Sequence, residues 1–182
     1  MLWTERHVTK LVETPPFSVE EVTLFDPNSQ SVLDHKYYRL QAPSWVNIFA
    51  LDQNRKAILV RQPRVGMMAM TLEVPGGGID DSEDPLEAAK RELEEETGYR
   101  AGKIISLGSI SPNPAIMKNR LHMYLATECF IPEKREHHPD AMERIEIVLM
   151  DIETLDDRIN KGLFENALGA FTVLKALRYQ DI

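Results

Sequence analysis

One segment constrains the fold of this 182-residue chain more than any other: a helix signature that follows a run of three glycines. Asp84 is a favoured N-cap residue, Pro85 suits the first helical position, and Glu87 completes a capping box. Gly98 supplies a C-terminal stop. These signals predict a helix over Pro85–Thr97 that packs through its apolar residues.

Three carboxylates lie on the flank of the apolar stripe of this helix. At about 100° per residue, Glu92 and Glu96 are about 40° apart, and Glu95 is about 60° from Glu92. Crowded carboxylates repel one another unless cations lie between them. Oxygen ligands of this kind suit Mg²⁺ or Mn²⁺ better than Zn²⁺. The alternative is a solvated helix surface, which is the commoner origin of an acidic run.

Two neighbouring features favour the metal site over the solvated surface. The loop Pro75-Gly76-Gly77-Gly78 permits backbone conformations that place carbonyl groups close to a ligand. Arg91 projects about 100° away from Glu92, so it can pair with Glu83 or Glu95 and hold the cluster rigid.

The spacing of these residues resembles the Nudix box. All nine of its specified positions, which span twenty-three residues, are found among Gly77, Glu83 and the run Arg91-Glu92-Leu93-Glu94-Glu95-Glu96-Thr97-Gly98-Tyr99. The chain is therefore similar to Nudix hydrolases, which cleave a nucleoside diphosphate linked to another moiety. The resemblance implies an α/β fold, the Nudix α/β/α sandwich with a mixed β-sheet, over residues 45–182.

The same resemblance implies a set of metal ligands and a cofactor. Glu92, Glu96 and a backbone carbonyl near Gly76 would hold Mg²⁺ or Mn²⁺, with Glu95 sharing or supporting the ions. Arg91 would hold these carboxylates in place.

Composition limits the partners and the compartment. A net charge of −8 argues against a nucleic-acid partner, because binding to a phosphate backbone depends on Lys and Arg. The single cysteine, Cys129, excludes an internal disulfide and a cysteine-based metal site, and its apolar surroundings predict a packed core thiol. The N-terminal residues show neither a signal peptide nor a membrane span, so we expect a cytoplasmic protein.

Residues 1–44 form a separate small unit in this interpretation. A polar start is followed by predicted strands near Val19–Phe25 and Asp34–Leu40, with turns at Thr14-Pro15-Pro16 and Asp26-Pro27-Asn28. Two strands alone are marginally stable, so this β appendage should pack on the main domain or on a second subunit. ADP-ribose and nucleotide-sugar Nudix enzymes are similar here, and the resemblance implies a homodimer.

Apolar runs and turn residues predict the remaining elements. The predicted strands after the appendage are Trp45–Leu51, Lys56–Val60, Ile104–Ile110, Leu121–Phe130 and Ile147–Met150, with a further strand around Leu72 and Val74. Two helices, Asp151–Lys161 and Glu165–Tyr179, close the chain. On the second helix we expect an apolar face of Leu168, Phe171, Leu174, Ala176 and Leu177.

Three substrate-binding residues follow from the resemblance to ADP-ribose-type enzymes. In the stretch before the box, Arg64 would contact the diphosphate and Glu73 would support the site. Pro114, fifteen positions after Tyr99, matches a proline that marks ADP-ribose pyrophosphatases. On sequence alone, the alternatives are a surface arginine at position 64, which is the commoner case, and a plain connection around Pro114.

The charged loop from Ile131 to Met142 leads to the expected general base. In similar enzymes the glutamate that activates water comes from this loop, which makes Glu143 the first choice and leaves Glu146 and Glu136 as rivals. His137 and His138 are adjacent in the loop, and we expect solvated side chains there in place of a metal pair.

The resulting prediction is metal-dependent hydrolysis of the diphosphate of ADP-ribose or a related nucleoside diphosphate sugar. Other nucleoside diphosphate derivatives, such as a dinucleoside polyphosphate or coenzyme A, are the nearest alternative. An isopentenyl diphosphate isomerase shares the fold but is expected to need a cysteine early in the domain, and Cys129 lies too late. A non-catalytic nucleotide-binding module is disfavoured, because binding alone gives little reason to crowd carboxylates.

Overall fold

A computed structural model describes residues 2–138 and 144–179 of the chain. The chain divides into two compact units. The first combines Met1–Ser44 with Ile110–Arg120, and the second combines Trp45–Ser109 with Leu121–Ile182.

The first unit contains a four-stranded sheet centred on β2 (Phe17–Asp26). Strands β1 (Thr4–Thr14), β3 (Ser31–Val32) and β4 (Tyr37–Gln41) all pair with β2 in antiparallel fashion. Residues 110–120 join this unit, since the Leu40 amide donates to the Ile116 carbonyl at 2.7 Å.

The sequence predicted no strand in the polar start of the chain, whereas residues 4–14 form the long strand β1. All eleven residues of β1 are exposed. Because neither face is buried, apolar and polar residues do not alternate along the strand. Two shifts in its pairing with β2, between Glu5 and His7 and between Lys10 and Val12, also break the alternation of side chains. The signal that identifies a half-buried strand is therefore missing from the sequence.

The second unit contains a six-stranded mixed sheet with helices on both faces. Its central strand, β5 (Trp45–Asp52), runs parallel to β9 (Leu121–Cys129) and antiparallel to β6 (Ala57–Arg64). β6 also pairs with β7 (Ala69–Glu73) and β10 (Glu146–Met150), and β8 (Lys103–Ile110) lies beside β9. The helices are α1 (Pro85–Thr97), α2 (Ile152–Asn160) and α3 (Ala167–Ala176).

The alternation of side chains along β5 places α1 and α3 on opposite faces of the sheet. Val46, Ile48 and Ala50 are buried in one core cluster with Ala88, Ala89 and Leu93 of α1. Asn47, which points to the other face, donates through Nδ2 to Thr172 Oγ1 of α3 at 3.4 Å. The predicted α/β/α sandwich with a mixed sheet is confirmed.

Cys129 lies in the core beneath α1, as expected for a packed thiol. It is buried, and burial raises the pKa of the thiol to about 12. A thiol in this setting is protonated at neutral pH and unreactive.

The expected packing face of α3 is largely wrong. The buried residues are Gly169, Thr172, Val173 and Ala176, whereas Phe171 and Leu174 are exposed. These buried side chains are smaller than those of Phe171 and Leu174, which lie on the exposed side of the helix. Of the predicted face, only Ala176 is fully buried. No helix in the described part of the chain has the length and apolar character needed to cross a membrane.

Candidate functional site

The glycine-rich loop lies along the edge of β5. The pairing of β7 with β6 ends at Glu73, and the following residues lie beside β5. There the Ile48 amide donates to the Pro75 carbonyl and the Val46 amide donates to the Gly77 carbonyl, both at 2.9 Å. At Gly76 the approach is so close that a Cβ atom would lie 2.2 Å from Val46 O. Only glycine fits there without moving the strand.

Local signals determine where α1 begins and ends, and the predicted bounds Pro85–Thr97 are confirmed. The Asp84 side chain accepts from the Leu86 amide at 2.9 Å, and Gly98 ends the helix in the left-handed region with a φ of 76°. The carboxylate of Glu87 accepts from Lys90 Nζ at 2.8 Å on the exposed face, in place of the expected capping box.

Arg91 gathers three glutamates of the loop and the helix around one guanidinium. Its Nε and Nη2 donate to the two oxygens of Glu83, each at 2.9 Å. Its Nη1 donates to Glu92 Oε1 at 2.9 Å and to Glu95 Oε2 at 2.8 Å, and Nη2 also donates to the Gly78 carbonyl at 3.0 Å. The predicted pairing with Glu83 and Glu95 is therefore present, and Glu92 joins it.

These ion pairs change the protonation equilibria of both partners. The hydrogen bond to Glu83 is the main reason that the pKa of Arg91 is raised, with the charge of Glu92 contributing further. The hydrogen bond from Arg91 in turn lowers the pKa of Glu83 below its usual value. Both groups are consequently charged near neutral pH.

Glu92 and Glu96 connect α1 to the glycine-rich loop. A Cβ atom at Gly77 would lie 2.5 Å from Glu92 Oε1, so the carboxylate occupies the space that a side chain at position 77 would need. Glu96 is buried, and its Oε2 accepts from the Gly76 amide at 2.9 Å. The loop and the carboxylate row therefore form one interlocked structure.

The donor atoms of this cluster fit a hard divalent cation, because they are carboxylate and backbone oxygens. In the part of the chain that is described, no three acidic, histidine or cysteine side chains converge into a closed metal site. The arrangement accounts for this, since Arg91 draws Glu92 and Glu95 to one nitrogen while Glu96 bonds to Gly76.

A second network surrounds Glu73 at the end of β7. Arg64 pairs with it through two hydrogen bonds of 2.8 Å, from Nε to Oε1 and from Nη2 to Oε2. Thr71 Oγ1 also donates to Oε1, and Asn166 Nδ2 donates to Oε2 at 2.8 Å. Burial alone would raise the pKa of Glu73, but these hydrogen bonds outweigh it and lower the pKa.

Asn166 is the member of this network that the sequence interpretation missed. It forms the N-cap of α3, accepting from the Gly169 amide at 2.8 Å. An asparagine before an apolar helix is a recognisable cap signal. Its bond to Glu73, 93 residues away in sequence, has no local signal.

Glu94 attaches a loop to α1. It is 2% exposed, and both of its oxygens accept from Arg100 at 3.1 Å. Its Oε1 also accepts from the Glu136 amide at 2.7 Å, and its backbone carbonyl accepts from Arg135 Nη2 at 2.6 Å. The described part of the 131–138 loop is thus held against the last turn of α1.

The candidates for general base have different surroundings. Glu143 lies outside the described residues. The carboxylate of Glu136 pairs with Arg100 at 3.1 Å, and that of Glu146 pairs with Arg61 at 3.2 Å at the start of β10.

Pro114 belongs to the first unit. It lies in a turn in which the Asn113 carbonyl accepts from the Ile116 and Met117 amides at 3.2 and 2.8 Å. The structure therefore groups Glu92 and Glu95 around Arg91, attaches Glu96 to the glycine-rich loop and pairs Arg64 with Glu73. Pro114 belongs to the other unit.

Comparison with known proteins decides the family. Residues 42–167 match the NUDIX domain, and this region contains the glycine-rich loop, α1 and the Glu73 network. The chain belongs to the Nudix family. Nudix hydrolases generally need a divalent metal ion, which agrees with the carboxylate cluster of α1.

Two relatives and one solved structure show how far the similarity extends. An ADP-ribose pyrophosphatase of Bacillus subtilis is 34% identical over 135 residues, covering 73% of this chain and 70% of that protein. A methanol dehydrogenase activator of Bacillus methanolicus is 33% identical over 108 residues, covering 59% of this chain and 56% of that protein. A crystal structure of an ADP compounds hydrolase has the same fold, with a TM-score of 0.82 and 24% identity over 97% of this chain and 93% of that chain.

Proposed function

We propose that this Nudix protein hydrolyses the diphosphate of ADP-ribose or a related nucleoside diphosphate sugar, giving a nucleoside monophosphate and a sugar phosphate. The observation that carries the proposal is the arrangement of Glu83, Glu92 and Glu95 around Arg91, with Glu96 bonded to the glycine-rich loop. The similarity to the Bacillus subtilis ADP-ribose pyrophosphatase supports the choice of substrate class.

Glu92, Glu96 and the Gly76 carbonyl would hold Mg²⁺ or Mn²⁺ in this proposal, with Glu95 as an additional or supporting ligand. The carbonyls of Pro75 and Gly77 are engaged by β5, and the Gly76 amide bonds to Glu96. Among the described residues, no hydrogen bond engages the Gly76 carbonyl. A bound divalent cation would neutralise phosphate charge and lower the pKa of water.

Arg91 acts as a positioning residue, because its positive charge holds three negatively charged carboxylates close together. Arg64 contacts the diphosphate of the substrate, and the buried Glu73 holds its guanidinium in one orientation. The Arg64 side chain is 46% exposed although two of its nitrogens bond to Glu73, which suits a residue that presents charge to a solute.

Glu143 is the general base in this proposal. Water attacks one phosphorus atom and forms a new P–O bond, while the bond from that phosphorus to the bridging oxygen breaks. The departing phosphate keeps the electron pair, and the Glu143 carboxylate accepts the proton of the attacking water. No covalent enzyme intermediate is needed.

We also propose a homodimer that uses the sheet of the first unit. β1 is an edge strand of eleven exposed residues, and its apolar side chains include Leu11 and Val12, which are 50% and 52% exposed. Edge strands with exposed apolar side chains favour pairing with another chain.

A substrate panel tests the activity. ADP-ribose, other nucleotide sugars, a dinucleoside tetraphosphate and coenzyme A are incubated with Mg²⁺ or Mn²⁺, and the products are identified by mass spectrometry. We expect the highest kcat/KM with a nucleoside diphosphate sugar. Preference for the tetraphosphate or coenzyme A would contradict the substrate class, and absence of hydrolysis with every substrate would contradict the enzymatic function.

A further inference from the structure

The amide of Asn166 performs two separable tasks at the N-terminus of α3. Its oxygen Oδ1 accepts from the Gly169 amide at 2.8 Å and so caps the helix. Its nitrogen Nδ2 donates to Glu73 Oε2, also at 2.8 Å. The two ends of one side chain thus connect the start of α3 to a buried carboxylate at the end of β7.

Glu73 transmits this contact to Arg64. Glu73 Oε2 accepts from both Asn166 Nδ2 and Arg64 Nη2, while Oε1 accepts from Thr71 Oγ1 and Arg64 Nε. Four donors therefore determine the orientation of a carboxylate that is 4% exposed. Because the Arg64 pair is bidentate, a rotation of the Glu73 carboxylate turns the guanidinium as well.

We propose that Asn166 is a positioning residue for substrate binding, which acts through Glu73 to hold the Arg64 guanidinium toward the diphosphate. This inference rests on the proposed function, in which Arg64 contacts that diphosphate. The amide nitrogen is the atom that matters, since an oxygen at the same place would face Glu73 Oε2 without a proton to share.

Replacement by aspartate separates the two tasks. Asn166→Asp keeps an oxygen that caps α3 as well as asparagine does, but it removes the donor and places a second carboxylate next to Glu73. We expect KM for ADP-ribose to rise about tenfold or more, with kcat changed less than about threefold, because the lost interaction orients a binding group. Thermal unfolding should confirm that α3 is intact.

Asn166→Ser is the matched control, because serine also caps helices but adds no charge. We expect a smaller rise in KM, of about threefold. Should Asn166→Asp fail to fold, this variant decides alone: an unchanged KM would overturn the proposal.

Arg64→Ala distinguishes this inference from the proposed function. If Asn166 acts through Arg64, Asn166→Asp should add little to KM in the Arg64→Ala background, whereas independent effects would multiply. A wild-type KM in Arg64→Ala would contradict the proposed role of Arg64 and this inference with it. A raised KM in Arg64→Ala together with a wild-type KM in Asn166→Asp would overturn the inference alone.

Discussion

Gly77 lies so close to Glu92 that a Cβ atom at position 77 would approach Glu92 Oε1 to 2.5 Å. The next glycine differs, because a Cβ atom at Gly78 would meet no other heavy atom within 4 Å. These two adjacent positions therefore allow a matched test of how closely the loop and the carboxylate row must fit.

Gly77→Ala should lower turnover at saturating Mg²⁺ by about 10²-fold, because the methyl group displaces a proposed metal ligand. Gly78→Ala should keep most of the activity, and steady-state kinetics of the two variants measures the difference. Equal activity in the two variants would show that the position of Glu92 is unimportant for the reaction.

Glu94 should stabilise the fold in a pH-dependent manner. Burial tends to raise its pKa, but the hydrogen bonds from Arg100 and from the Glu136 amide outweigh burial and lower the pKa from 4.5. A carboxylate with a lowered folded pKa contributes stability above its unfolded pKa, and this contribution is lost as the pH falls through the folded value. The stabilisation should therefore be complete at pH 7 and decline below about pH 4.5.

Glu94→Gln should lower the free energy of unfolding at pH 7 by about 1–3 kcal/mol, and the difference from wild type should shrink toward pH 3. Urea unfolding at both pH values measures this. Glu87→Gln, which alters an exposed pair with Lys90, should change stability by less than about 0.5 kcal/mol. A loss for Glu94→Gln that is the same at pH 7 and pH 3 would show that ionisation of Glu94 is not the cause.

The proposed dimer can be tested on β1. Light scattering of the full chain at micromolar concentration should give about twice the chain mass of 20.8 kDa. Val12→Glu should shift the protein toward the monomer, because it places a charge on an exposed apolar position of the edge strand. Lys10→Gln in the same strand should leave the mass unchanged. A monodisperse wild-type monomer would refute the dimer.

Local signals explain why α1 could be predicted and β1 could not. The bounds of α1 follow from Asp84, Pro85 and Gly98, whose effects on the backbone depend on neighbouring residues only. β1 is exposed along its whole length and is interrupted by two pairing shifts, so its periodicity carries no burial signal. By contrast, β5, β6 and β9 are largely buried, and their apolar runs identified them as strands.

In the candidate site, too, the sequence predicted local features but not contacts between distant segments. The spacing of Glu92, Glu95 and Glu96 along one helix could be calculated, and the partners of Arg91 were narrowed to a few neighbours. The bond between Asn166 and Glu73 depends on how α3 packs against the sheet, and the small residues that pack there were not expected to be the buried face. For that reason, the sequence did not predict this contact between two distant segments.

The general base can be identified by comparing three glutamates. Glu143→Gln should lower kcat by about 10²- to 10⁴-fold with little change in KM, because the residue removes a proton and holds no metal. Glu136→Gln and Glu146→Gln should have small effects, since their carboxylates pair with Arg100 and Arg61. If Glu143→Gln kept full activity while Glu136→Gln or Glu146→Gln lost it, the general base would be the glutamate whose replacement abolished activity.

The most direct test of the account is the rate of ADP-ribose hydrolysis as a function of Mg²⁺ concentration, in wild type and in Glu96→Gln. The Gln oxygen can still accept from the Gly76 amide, so the fold should persist, and relief of carboxylate repulsion could raise the melting temperature. We predict Mg²⁺-dependent release of AMP and ribose 5-phosphate by wild type. In Glu96→Gln at saturating Mg²⁺, the rate should fall by about 10²-fold or more. Turnover in wild type that needs no divalent cation, or near-normal turnover in Glu96→Gln, would contradict the account.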